Sequence, residues 1–183
     1  TYELGVKMAV TWADFISIEM EHVPWDMKGL GEFMRGLVDG GPTASGHRTP
    51  AVLVSLPTDG TSEEVVRGNA WMCKQALSQG VHGIILCHAE TPGAVKALVE
   101  TCRYSHHTIG VGDETGQGRR GHSGQSTAAD VWGISTTEYF EKADVWPLNP
   151  DGEIFLGIKI ESQRALANAE ATVAVPGVGY AEW

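Results

Sequence analysis

Glu161 closes an apolar run, Ile154-Phe-Leu-Gly-Ile-Lys-Ile160, and is followed at once by Ser-Gln-Arg-Ala-Leu166. A carboxylate there stands where a buried strand gives way to a helix. The arrangement recurs at Phe15-Ile-Ser-Ile18, which leads into Glu19-Met-Glu21-His22-Val-Pro24. Carboxylates with few neighbouring cations suit a hard divalent ion such as Mg²⁺ or Mn²⁺. A histidine next to an acid suits proton transfer, because the carboxylate holds the ring's tautomer and raises its basicity. Side chains alternate along a strand, so Lys159 shares a face with Glu161, and Ser17 shares one with Glu19 and Glu21. A lysine on a buried strand is costly unless paired. The Lys159–Glu161 pair is therefore either a structural ion pair or part of a site. His88 ends a further apolar run that begins at Gly83. The other histidines, among them His106-His107 and His122, have no ligand spacing of any specificity.

Elements of two kinds must position these residues. Strands are predicted at Phe15–Glu19, Ala51–Leu56, Gly83–His88, Thr108–Val111, Ile154–Glu161 and Gly179–Trp183. Helices are predicted at Asp26–Val38, Ser62–Ser78, Pro92–Arg103, Thr136–Ala143 and Ser162–Ala174, with a further one at Leu4–Trp12. Ser62-Glu-Glu supplies a capping side chain and acids at the positive end of a helix. Thr91-Pro92 supplies a cap followed by proline at the first helical position. The strands read as near-continuous apolar runs, as parallel strands covered on both faces do. Strands alternating with helices imply a parallel sheet, open or closed into a barrel. Ligands of such sheets gather at the carboxyl ends of the strands. Residues 112–134 differ: they lie in a polar, glycine-rich stretch that reads either as a long functional loop, a lid or oligomer contact, or as a disordered surface loop. Its Gly110-Val-Gly-Asp and Gly116-Gln-Gly spacings complete no phosphate-binding motif.

The chain has 183 residues and a formal charge of −10, and no basic stripe, which excludes phosphate-backbone binding as a reading. One α/β domain spanning residues 1–183 is expected at this length. No apolar run is long enough for a membrane helix, and Thr1-Tyr-Glu-Leu-Gly5 does not have the form of a signal peptide. Cys73, Cys87 and Cys102 have no zinc or disulfide spacing. Buried reduced thiols in a cytoplasmic protein are expected.

With these residues in view, a resemblance can be stated. Asp14-Phe-Ile-Ser-Ile-Glu-Met-Glu-His22-Val-Pro24 is similar to a segment of the HpcH/HpaI aldolase and citrate lyase β-subunit superfamily, in its 2-keto-3-deoxy sugar acid aldolase branch. Ile158-Lys-Ile-Glu-Ser-Gln-Arg-Ala-Leu166 resembles the family's Ile-Glu-Ser region, and Val175-Pro-Gly-Val-Gly179 the segment that leads into the next strand. Arg103-Tyr104 with Gly110-Val-Gly112 is similar to its Arg-Tyr and Gly-x-Arg-Gly region. The resemblance implies a (β/α)₈ TIM-type barrel, of which this chain supplies about six parallel strands. It implies a metal-dependent aldolase that cleaves a hydroxy-oxo-acid to an enolisable fragment such as pyruvate plus an aldehyde. By position, Glu161 is then a ligand of Mg²⁺ or Mn²⁺, His22 the proton-transfer residue and Glu19 the acid that supports it. Glu21 lies beside them and, with Lys159 and His88, is expected to face the substrate. A homo-oligomer, a hexamer by analogy, is also implied.

Two departures stand out. The family's second metal carboxylate belongs to a Gly-Pro-x-Asp motif expected just after Trp183, and a full barrel takes about 200 residues or more. The polypeptide is therefore expected to be longer at both ends. The family's arginine after the second visible strand is missing from Val54-Ser-Leu-Pro57, and Lys159 is the residue expected to supply that charge. A malyl- or citryl-thioester lyase is the alternative among enzymes, and a non-catalytic barrel homologue that binds a ligand or partner is the alternative outside them.

Overall fold

The computed structural model describes residues 1–183. In chain order the elements are α1 (Tyr2–Met8), β1 (Phe15–Glu19), α2 (Met27–Asp39), β2 (Ala51–Asp59), α3 (Glu63–Gly68), α4 (Ala70–Ser78), β3 (Gly83–Cys87) and α5 (Pro92–Cys102). They continue with α6 (Gln125–Trp132), α7 (Thr136–Lys142), β4 (Val145–Trp146), β5 (Ile154–Lys159), α8 (Gln163–Ala167), α9 (Ala169–Val173) and β6 (Tyr180–Glu182). All strand pairs are parallel. The sheet runs β1-β2-β3-β5, and β4 and β6 both pair with β5. It ends at β1 on one side and at β4 and β6 on the other, so the six strands form an open sheet within this chain.

The register sorts the strand residues into two faces. Val52, Val54, Leu56, Ile84, Leu86, Leu156 and Ile158 point to the helices and join Leu37, Leu77, Leu98 and Tyr139 in the main core. Removing side chains of this kind from water is the chief stabilising term, about 2 kcal/mol each. The opposite, inner face carries Ser17, Leu53, Ile85, Gly157 and Tyr180 on paired or adjacent strands. Below them Phe15, Phe155, Tyr180 and Trp146 make a chain of ring contacts with centroids 5.2–6.3 Å apart. Leu53 and Ile85 are fully buried although they lie on the inner face, which is why β2 and β3 read as near-continuous apolar runs.

Local causes set most boundaries. Ser62, Thr91, Ser135 and Ser162 each accept a backbone N–H of the first helical turn. The helices predicted at Ser62–Ser78 and Ser162–Ala174 are each divided, at Asn69 and Asn168. Asparagine competes for backbone groups: the Asn69 side chain donates to the Val65 carbonyl, and that of Asn168 to the Glu90 carbonyl.

The strand predicted at Thr108–Val111 is not formed. Its Ile109 carbonyl accepts from the Arg103 guanidinium instead of from a neighbouring strand, and Gly110 turns the chain with φ +73°. The strand that completes the six is β4, two residues long and directly before Pro147, too short for any period to reveal.

The stretch 112–134 is also not a loop throughout. Gln125–Trp132 is helical, and Ala128, Ala129 and Val131 are buried. The segment before it is held to α5: Gly116 N–H donates to the Glu100 carboxylate, and Arg119 and Arg120 N–H to the Glu100 and Arg103 carbonyls. The Arg120 guanidinium lies over the Tyr104 ring at 4.5 Å and bonds the Tyr139 hydroxyl. Arg103 itself is buried, bidentate on Asp144 at 2.6 and 2.9 Å. No helix is long and apolar enough to cross a membrane.

Candidate active site

Above the inner-face layer of Ser17, Leu53, Ile85 and Gly157, the strands end in polar residues. Lys159 is the last residue of β5 and Cys87 the last of β3. An irregularity in β2 between Ser55 and Asp59 brings Asp59 level with Cys87. Glu21 stands two residues beyond the end of β1, on the turn before α2. Its carboxylate is almost buried and the others gather around it.

Lys159 Nζ lies 3.1 Å from Glu21 Oε2 and 3.5 Å from Glu161 Oε1. His22 Nε2 is 3.7 Å and His88 Nε2 3.8 Å from the oxygens of the same Glu21. Ligand atoms of Glu21, Cys87 and Glu161 lie within 4.8 Å of one another, as do those of Glu21, Asp59 and His88. Five of the six residues predicted for the site, Glu21, His22, His88, Lys159 and Glu161, thus converge at the carboxyl ends of the strands.

The sixth, Glu19, does something different from holding a ring. Its carboxylate accepts the backbone N–H groups of Glu21 and of His22, the latter at 3.0 Å. It fixes the turn that presents both residues, while Glu21 is the carboxylate beside the His22 imidazole. His22 itself is open to solvent, its side chain 77% exposed. His88 has φ +45°, a conformation rare for a residue with a side chain. Its N–H donates to Glu161 Oε2 at 3.2 Å, and the next N–H, of Ala89, donates to the Lys159 carbonyl. Strained backbone held by two such bonds is typical of positions where geometry serves a site.

A supporting layer sits behind Glu161. Ser162 caps α8 and donates its hydroxyl to Glu90 Oε1 at 2.8 Å. Arg164 bonds the other Glu90 oxygen at 3.3 Å. The turn that carries Glu161 is therefore tied to the turn after β3.

The charges favour one protonation pattern. Burial works against the charge on Glu21, yet donation from the Cys87 thiol and the Lys159 ammonium holds its carboxyl below the usual glutamate range. Burial likewise opposes the charge on Lys159, and the bond to Glu21 outweighs it, so its pKa is raised. Burial and the bond to Glu21 push the Cys87 thiol far up, which keeps it protonated. A protonated thiol is a poor ligand. The donors that suit a hard ion are the carboxylate oxygens of Glu21 and Glu161, with Asp59 at the margin.

Cys87 and Asp59 were not among the predicted site residues. Cys87 has the same strand parity as Lys159 and was legible in that sense. Asp59 depends on the irregularity in β2. A separate cavity of about 620 Å³ opens at the other ends of the strands, lined by His47, Arg48, His82 and Trp132 among others. None of the predicted site residues borders it.

Solved structures show the same architecture. An HpcH/HpaI aldolase/citrate lyase family protein from Burkholderia cenocepacia J2315 matches with a TM-score of 0.70 at 22% identity, over 97% of this chain and 58% of that one. The HpcH/HpaI aldolase from Desulfitobacterium hafniense DCB-2 matches at 0.65 and 17% identity, over 99% and 56% of the two chains. The chain shares the fold of these two solved structures. No protein-family model matches it. Among curated proteins, a hydroxypyruvate/pyruvate aldolase of Roseobacter denitrificans (strain ATCC 33942 / OCh 114) is 25% identical over 165 residues, 90% of this chain and 51% of that protein. The chain spans about half the length of these relatives. β2 carries no arginine, and a polar residue on its inner face is Ser55. It is buried and level with Glu19 on β1 and Ile85 on β3, one layer below Lys159.

Proposed function

We propose that this protein is a divalent-metal-dependent carbon–carbon lyase of the class II aldolase type. It would cleave a hydroxy-oxo-acid, or a related compound, to an enolisable fragment such as pyruvate plus an aldehyde. The observation that carries this reading is the convergence of Glu21, Glu161, Lys159, His22 and His88 at the carboxyl ends of parallel strands in the HpcH/HpaI fold. The hydroxypyruvate/pyruvate aldolase relative supports the same class of substrate.

Glu161 and Glu21 are the residues that would hold Mg²⁺ or Mn²⁺. Such an ion, when bound, polarises a 2-oxo carbonyl and makes the adjacent carbon acidic. The chain's own groups do the rest. His22, open to solvent yet beside Glu21, moves the proton at the substrate's carbon or aldehyde oxygen. Glu19 positions it through the backbone of the turn. Lys159 offers a positive charge to the substrate's carboxylate, which β2, with no arginine, does not, and His88 offers a donor beside Glu21. With its three buried free thiols, the protein suits a reducing compartment such as the cytoplasm. A homo-oligomer, hexameric by analogy, is the assembly we propose. The net charge of −10 disfavours nucleic acid as a partner.

The test is a screen of hydroxy-oxo-acids for pyruvate release, and of pyruvate or hydroxypyruvate with aldehydes for condensation, with Mg²⁺ or Mn²⁺ supplied. Turnover that a chelator abolishes and either ion restores is expected, with a loss of at least about 100-fold in Glu161→Ala. Turnover that survives chelation, or survives Glu161→Ala, would sink the reading.

A further inference from the structure

Lys159 does more than border the two carboxylates. Its ammonium is the positive charge that joins them, bonding Glu21 Oε2 at 3.1 Å and facing Glu161 Oε1 at 3.5 Å. Only 17% of its side chain is exposed, against 8% for Glu21 and 30% for Glu161. The stem has little freedom at its root, because the Lys159 carbonyl accepts from Ala89 N–H across the end of β3. A divalent ion would draw on the same two carboxylates, whose candidate ligand atoms lie within 4.8 Å of one another. It would then lie within about 5 Å of Nζ, where like charges repel strongly in a partly buried site. The two cations therefore compete for one pair of carboxylates.

We propose that Lys159 is an internal competitor of the metal. Entry of the ion displaces the ammonium from Glu21 and Glu161, and the displaced ammonium becomes the charge that receives the carboxylate of the oxo-acid. The two cations of the site are therefore loaded in order, metal before substrate. The inference rests on the metal-dependent reading above and adds to it a residue that weakens metal affinity while serving substrate binding. Glutamine or methionine at this position would relieve the competition and leave the substrate without its cation.

Mn²⁺ titration followed by electron paramagnetic resonance tests the claim on the full chain, comparing wild type with Lys159→Gln and Lys159→Met. Tighter binding by about tenfold or more in both variants is expected. Equal or weaker binding in variants that remain folded overturns the proposal while leaving the metal reading intact. Absence of Mn²⁺ binding in every form overturns both. If both variants fail to fold because Glu21 loses its partner, wild type alone decides. Acetylation of Lys159 by a limiting amine reagent, read by mass spectrometry, should rise several-fold on adding Mn²⁺, relative to the exposed Lys28. Unchanged labelling at a Mn²⁺ concentration that saturates the site overturns the proposal.

Discussion

At the scale of single residues, the site divides groups that touch a ligand from groups that hold others in place. His22 is open to solvent and supports nothing else, so His22→Ala should lower kcat by about 10²–10⁴ while the melting temperature stays within a degree or two of wild type. A melting loss of many degrees would mean that the imidazole is structural. His88 carries two functions that one substitution can separate. At φ +45° glycine is the relaxed residue, so His88→Gly should be neutral or stabilising by up to about 1 kcal/mol, yet lose activity with the ring. His88→Val should cost about 1–3 kcal/mol. Urea unfolding of both variants checks the pair; equal stabilities would show that the backbone there is not under strain.

At the scale of elements, the turn after β5 is the part whose local chemistry bears on function. Ser162 caps α8 and bonds Glu90, so one hydroxyl joins two strand-end turns. Ser162→Ala should cost about 1 kcal/mol and also lower kcat/KM, because Glu161 precedes the cap. Ser135, the first residue of a capping box on α7, is remote from the site and gives the control: Ser135→Ala should cost a similar amount and leave kinetics unchanged. Kinetic parallelism between the two variants would refute a special role for the Ser162 turn. Caps of this kind are legible in sequence because donor, acceptor and spacing are local. The divisions at Asn69 and Asn168 are less so, since asparagine is tolerated inside a helix unless a neighbouring group recruits its side chain.

At the scale of the whole molecule, two polar centres, one buried and one half-buried beside the cavity at the other ends of the strands, tie the sheet to the helices. Arg103, Asp144 and His107 form one, with Asp144 bonded by Arg103 and 3.2 Å from His107. Arg103→Met would strand a buried carboxylate and should cost about 3–5 kcal/mol, measured by urea unfolding. His82 is the other. Its Nδ1 accepts from Val52 N–H, its ring stacks on Trp132 at 5.3 Å, and burial lowers its pKa to about 4 from an ordinary 6.5. The unfolded chain therefore takes up a proton that the folded one refuses. Stability is full above about pH 6.5 and should fall by roughly 2–3 kcal/mol as pH drops toward 4. Asp144 is lowered, with burial opposing and the adjacent His107 and the bonds from Arg103 prevailing, so its contribution persists above the ordinary aspartate range and is lost only in stronger acid. Unfolding midpoints at pH 7 and pH 4.5 should therefore differ, and a variant reads the share that His82 carries. His82→Asn, whose side-chain oxygen can accept the Val52 bond, should flatten the difference; an unchanged slope would point to another group.

The sequence by itself determined the alternation of strands and helices, the parallel sheet, and the strand ends at which Glu19, His22, His88, Lys159 and Glu161 stand, because burial on two faces and helix capping leave local marks. It did not determine which carboxylate would meet which cation. That Glu21 and not Glu19 lies beside the imidazoles, that Lys159 bridges Glu21 to Glu161, and that Asp59 rises level with Cys87 follow from turn geometry and strand register. The same holds for the residues around Gly110: Thr108–Val111 reads as a strand until the Arg103 guanidinium claims its carbonyl, and Gln125–Trp132 reads as loop until its alanines find α4 and α7 to pack against. Spacing along a chain records what each residue prefers. Only the packed sheet brings together groups that are 138 residues apart, as Glu21 and Lys159 are, and decides which of their competing partners they keep.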